Sequence, residues 1–79
     1  MAIQIKYYGK LAELAGSENI NIETKSNNVS DLLEELNESI PKLNTEIFAL
    51  FLNNKKIEDF NQAIKDKDEI CLMPPFAGG

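Results

Sequence analysis

Apolar and polar residues alternate near the start of the chain, which predicts a strand with one buried face. Ile3, Ile5 and Tyr7 are the inward positions of this strand, and residues 20–24 repeat the alternation. Between the two segments, apolar residues at helical spacing end at Gly16, a residue that favours a left-handed helix cap. The pattern predicts an antiparallel hairpin with a short helix inserted between its strands.

The longest helical pattern begins at Val29 and ends at Ile40. Asn28 can cap this helix, and the Asp31 carboxylate can interact with the exposed amides of its first turn. Pro41 is expected to stop the helix. A helix this short must pack across the sheet to be stable. Its apolar stripe consists of Val29, Leu32, Leu33, Leu36 and Ile40.

The second half of the chain contains a further apolar run at residues 47–52, which has strand character. Asn53 and Asn54 tolerate positive φ, so they predict a turn into a short strand around Lys56 and Ile57.

The last part of the chain predicts a loop followed by the final strand. Phe60 and Ile64 are expected to plug the core from the loop. Residues 69–73 form the strand, with Ile70 and Leu72 facing inward.

The order of these elements predicts an α+β domain with the β-grasp (ubiquitin-like) fold. It has a mixed sheet of four to five strands, one main helix packed across it and a short helix after the first strand. The first and last strands lie side by side and parallel. Residues 1–75 form this domain, and residues 76–79 form a flexible C-terminal tail.

Alternation places Cys71 and Met73 on the face of the sheet opposite the core. If nothing covers that face, these residues form an exposed apolar patch with Tyr8 and Phe51, next to the tail. Such a patch usually marks a partner interface in a soluble protein. The alternative is that loops partly cover the four side chains.

Composition narrows the functions that the chain can perform. Its 79 residues allow one compact core, and the sequence has one cysteine and no histidine. An internal disulfide, a cysteine metal cluster and catalysis by its own side chains are therefore not expected. No run is apolar enough for a membrane span, so a cytoplasmic location is expected.

The charge balance bears on possible partners. The net charge is −5 and arginine is absent, so neither nucleic acid nor an anionic membrane is an expected partner. An acidic surface suits a basic patch on another protein. Plain solubility is the simpler explanation of the charge.

The sequence ends in Gly78-Gly79, directly after a predicted strand and two prolines. Pro74 and Pro75 project the last residues as a stiff, extended stalk. Glycine leaves its carbonyl carbon open to attack. The Gly79 carboxylate would need activation by an outside enzyme, most simply as an acyl-adenylate. A frayed end without a role is the alternative.

The chain resembles the small subunits of molybdopterin synthase over nearly its whole length. The most specific part is the Pro-Pro-x-x-Gly-Gly ending. The matching stretches are Tyr7-Tyr8-Gly9-Lys10-Leu11-Ala12-Glu13-Leu14-Ala15-Gly16, Phe51-Leu52-Asn53, Asp68-Glu69-Ile70 and Pro74-Pro75-Phe76-Ala77-Gly78-Gly79.

This resemblance implies a ubiquitin-like sulfur carrier that binds no cofactor itself. Gly79 would be adenylated with ATP by an enzyme related to ubiquitin-activating enzymes, and then converted to a thiocarboxylate. The tail would enter a pocket of the large synthase subunit, where sulfur passes to cyclic pyranopterin monophosphate during molybdenum cofactor biosynthesis. Gly78 and Ala77 would occupy the partner's channel and Phe76 its mouth, with Pro74 and Pro75 at the interface.

Three other functions stay open on the sequence. They are a sulfur carrier of the thiamine pathway, a ubiquitin-like modifier conjugated to lysines, and an interaction module whose tail has no role. The chain also departs from the resemblance at Lys67, where such subunits often have glycine, so the turn there is expected to be strained or of another type.

Overall fold

The computed structural model describes residues 1–75 and contains one five-stranded mixed sheet with a helix packed on one face. The strands are ordered β2-β1-β5-β3-β4. The pair β1–β5 is parallel and the other pairs are antiparallel. The elements are β1 (Ala2–Tyr7), α1 (Lys10–Ala15), β2 (Asn19–Glu23), α2 (Val29–Ser39), a 3-10 helix (Pro41–Thr45), β3 (Ala49–Leu52), β4 (Lys55–Lys56) and β5 (Glu69–Met73).

This arrangement confirms the predicted β-grasp fold, including the short helix after the first strand and the parallel neighbours β1 and β5. The predicted tail at residues 76–79 lies outside the described residues. No helix within residues 1–75 combines the length and the apolar composition needed to cross a bilayer.

The core lies between α2 and the inner face of the sheet. Asn28 begins α2 as predicted, because its side-chain oxygen accepts a hydrogen bond from the Asp31 amide at 2.8 Å. The central members of the core are buried almost completely, which confirms the inward positions of the first and last strands. They are Ile3, Ile5, Tyr7, Val29, Leu32, Ile70 and Leu72.

Two predictions in the second half of the chain were wrong. The strand expected at residues 47–52 begins only at Ala49, and Ile47 is 81 % exposed. Phe60 is 49 % exposed and does not plug the core, whereas Ile64 does. Leu43 is a core residue that was not predicted, because the 3-10 helix that starts at Pro41 turns it inward.

Two turns use backbone conformations that L-residues rarely adopt. Asn53 and Asn54 have φ of 49° and 72°, which confirms the predicted turn. Lys67 has φ of 72°, so the turn before β5 is strained at the position where the resemblance suggested it. The Lys67 amide donates to the Ala2 carbonyl at 2.7 Å, which holds this turn against the start of β1.

Candidate functional site: the base of the tail and the open face of the sheet

The end of β5 packs closely against the turn that follows β1. The Tyr8 amide donates to the Leu72 carbonyl at 3.1 Å. Gly9 has φ of 60°, and a Cβ added to it would lie 3.2 Å from the Pro74 side chain. Backbone hydrogen bonding and this close approach fix where the chain leaves the sheet toward its last residues.

The outer face of the sheet carries the four apolar residues that the sequence grouped together. Strand register places Lys6, Cys71, Phe51 and Lys56 side by side in one row across β1, β5, β3 and β4. We call this outer surface the open face, because α2 packs on the other side. A shallow cavity of about 280 Å³ lies on it, lined by Tyr8, Phe51, Asn54, Cys71 and Met73.

The four residues differ in exposure, which corrects part of the prediction. Tyr8 is 41 % exposed, and Phe51 and Met73 are half-buried. Cys71 is only 5 % exposed, because it lies on the central strand between its neighbours on β1 and β3. The patch therefore consists of an exposed rim with a buried thiol at its floor.

Cys71 lies beside an ion pair on the same face. Its Sγ is 3.6 Å from Glu69 Oε1, and Glu69 Oε2 is 3.5 Å from Lys6 Nζ. Burial, and then the Glu69 carboxylate, raise the pKa of the Cys71 thiol, with Lys6 opposing the shift. The thiol is consequently protonated at neutral pH and is a weak nucleophile.

A second apolar cavity lies beside the base of the tail and was not predicted. It has a volume of about 340 Å³ and includes Pro74 and Pro75 together with the exposed Ile47. The ion pair between Lys10 Nζ and Glu46, 3.3 Å apart, involves two more of its lining residues. Sequence reasoning missed this surface because it placed Ile47 inside a strand.

The remaining predicted site residues belong to the tail. Phe76, Ala77, Gly78 and Gly79 lie beyond the described residues, so their roles stay predictions. Within residues 1–75, no group of three or more His, Cys, Asp or Glu side chains is arranged to hold a metal ion.

The comparison with known proteins relates the whole chain to small sulfur carriers. It is 32 % identical, over 84 aligned positions spanning both proteins completely, to the molybdopterin synthase sulfur carrier subunit of Chlamydomonas reinhardtii. That relative is named as a carrier of sulfur, as the resemblance had suggested for this chain.

Solved structures agree with the fold. One similar chain belongs to the protein–protein complex of subunits 1 and 2 of molybdopterin-converting factor from Helicobacter pylori 26695, with 29 % identity, complete coverage of both chains and a TM-score of 0.76. Another is the small archaeal modifier protein 1 from Methanosarcina acetivorans, with 25 % identity, 99 % and 96 % coverage and a TM-score of 0.81.

The family model named ThiS family matches residues 5–79, which include the second half of β1, the open face and the terminal glycines. The match extends over far more than half of the 79 residues. The chain therefore belongs to the ThiS family.

Proposed function

We propose that this protein is a sulfur carrier that serves as the small subunit of molybdopterin synthase. The observation that carries the proposal is its end-to-end similarity to a protein of that name, at 32 % identity. The Gly-Gly ending supplies the group that the chemistry requires.

The proposed chemistry takes place at the Gly79 carboxylate. An adenylyltransferase resembling ubiquitin-activating enzymes transfers AMP from ATP to this carboxylate and releases pyrophosphate. A sulfide equivalent then displaces AMP and leaves a thiocarboxylate. The thiocarboxylate sulfur then attacks a carbon of cyclic pyranopterin monophosphate and displaces the oxygen bonded to that carbon. A carbon–sulfur bond replaces a carbon–oxygen bond, and the oxygen takes up a proton as it leaves. Hydrolysis of the bond between the acyl carbon and sulfur returns the carboxylate and leaves sulfur on the product.

The geometry of the described residues supports a division of labour between carrier and partners. The open face and the base of the tail adjoin each other, since Tyr8 both lines the cavity and hydrogen-bonds to the end of β5. A large subunit that covers the open face around Tyr8 would therefore lie next to Pro75, where the tail begins, and could bind the tail in its own pocket. Pro74, Met73, Phe51 and Cys71 would lie at or under that contact.

Intact mass spectrometry tests the carrier function directly. The protein is incubated with ATP, a sulfide source and the activating enzyme of the same organism, and the expected product is heavier by the difference between sulfur and oxygen. A variant lacking Gly79 should keep its unfolding transition and fail to gain that mass. An unchanged mass of the wild-type protein, with an activating enzyme shown to be active, would refute the proposal.

A second candidate is a protein modifier joined to lysines through Gly79. The similarity to small archaeal modifier protein 1 favours it, since the two chains match over nearly their full lengths. This function would give a ladder of higher-mass conjugates in cells. A thiamine-pathway carrier would instead co-purify with a thiazole-forming synthase rather than with the large subunit.

A further inference from the structure

The two-residue strand β4 carries one lysine on each side of the sheet. Lys56 pairs with Phe51 and Lys55 pairs with Leu52. Directly paired residues share a face of the sheet, and neighbours along a strand alternate. Since Phe51 lines the cavity of the open face and Leu52 is buried in the core, Lys56 belongs to the open face and Lys55 to the opposite side.

Lys56 and Lys6 lie in the same row of residues across the open face, but among the described residues only Lys6 has a carboxylate partner. Lys6 is paired with Glu69 at 3.5 Å, whereas Lys56 takes part in none of the ion pairs found within residues 1–75. Lys56 is exposed at the edge of the sheet. The apolar patch is therefore bordered on this side by an ammonium group that forms no ion pair with a carboxylate of residues 1–75.

A partner that covers Phe51 comes close to Lys56, because the Cβ atoms of directly paired residues are only about 5 Å apart. Where it extends over the Lys56 side chain, it also removes water from the ammonium group. Desolvating a cation is unfavourable unless an anion compensates for it. We infer that the partner surface covering the open face presents a carboxylate to Lys56, and that this contact selects the partner. The inference rests on the proposed function, in which the large subunit is that partner.

The favourable interaction with an acidic partner is confined to the surroundings of Lys56, because the rest of the protein is mostly acidic. The protein as a whole is acidic, with a net charge of −5, so its overall field disfavours an acidic partner. Glu34 and Glu38, two exposed carboxylates, lie on α2 on the other side of the sheet. A close, partly desolvated pair at Lys56 mainly slows dissociation, whereas distant charges change the rate of association.

Adjacent lysines on opposite faces allow a matched test by surface plasmon resonance with the large subunit from the same organism, which gives both the affinity and the dissociation rate. Lys56→Glu and Lys55→Glu change the net charge equally, one residue apart. We expect Lys56→Glu to weaken binding by about tenfold or more through faster dissociation. Lys55→Glu should stay within about twofold of wild type. Lys56→Met should bind with a weaker dependence on salt than the wild-type protein.

Each result decides the matter. Equal effects of the two glutamate variants would show that only net charge is sensed and would overturn the inference. So would unchanged binding of Lys56→Glu, or a salt dependence of Lys56→Met equal to that of the wild-type protein. In these cases wild-type binding still supports the proposed function, whereas a wild-type protein that fails to bind the large subunit would refute both. Matching thermal unfolding curves of all variants exclude loss of folding as the cause.

Discussion

The two faces of strand β5 have different surroundings, and the five residues of the strand alternate between them. Ile70 and Leu72 on the inner face are 1 % and 0 % exposed and pack among the aliphatic side chains beneath α2. On the outer face, Met73 is half-buried beside the exposed Tyr8 ring, and together they line an open cavity. One face of the strand stabilises the domain, and the other leaves apolar surface exposed, which the proposed function assigns to the contact with the large subunit.

The difference shows that a single strand can be fully buried on one side and only partly buried on the other. Apolar burial on the inner face is complete without any partner. On the outer face it is incomplete, so further area can be removed from water only by association. Substitutions on the two faces should consequently affect different measurements.

The largest expected effect comes from shortening an inner residue. Leu72→Ala should lower the free energy of unfolding by about 2–5 kcal/mol, because it removes buried methyl groups and leaves a cavity. Chemical denaturation measures this value. Tyr8→Ala on the other face should change stability by less than about 1 kcal/mol and weaken binding to the large subunit. Equal losses of stability in the two variants would contradict the separation of the faces.

A smaller effect is expected at the strained turn that leads into β5. Lys67→Gly should raise the free energy of unfolding by about 0.5–1 kcal/mol, because glycine adopts the observed φ of 72° without steric strain. Lys65→Gly is the matched control, since Lys65 is not among the residues with positive φ. That variant should lose stability by a similar amount. Binding through the open face should be unchanged in both.

The smallest effect concerns the thiol beneath the patch. Because burial raises the pKa of Cys71 from its ordinary value of 9.0, the native state holds the thiol proton more tightly than the unfolded state. This contribution to stability is complete below pH 9.0 and is lost as pH rises through the higher native pKa. Alkylation by iodoacetamide should therefore reach its half-maximal rate at higher pH in the folded protein than in urea. Coincident pH profiles would contradict the shift.

Sequence patterns predicted the elements in which one physical signal dominates. Strict alternation identified β1 and β2, and a cap, a stripe and a proline defined α2. The sequence around Leu43 gave no such signal. Leu43 is buried because it lies in a five-residue 3-10 helix, which is too short to show a helical or strand pattern of apolar residues. The run at residues 47–52 was uniformly apolar, so periodicity could not show that the strand starts only at Ala49.

The candidate site was predicted as a group of residues but not in its details. Alternation assigned Cys71 and Met73 to one face, and the structure brings them together with Phe51 and Tyr8. Burial of Cys71 depends on having a strand on each side, which needs the strand order across the whole sheet. The same order is needed to place Lys56 beside Phe51, so its charge could not be related to the patch from the sequence.

The parallel pairing of β1 with β5 also has a mechanical consequence. The two strands lie side by side near opposite ends of the chain, with Ile5 opposite Ile70 and Tyr7 opposite Leu72. A force that pulls the tail away from the N-terminus loads this pair in shear, so its hydrogen bonds must break together rather than one after another. An enzyme that unfolds proteins by pulling on the tail, with the N-terminus held in place, would therefore need a higher force than one that separates the two strands one hydrogen bond at a time.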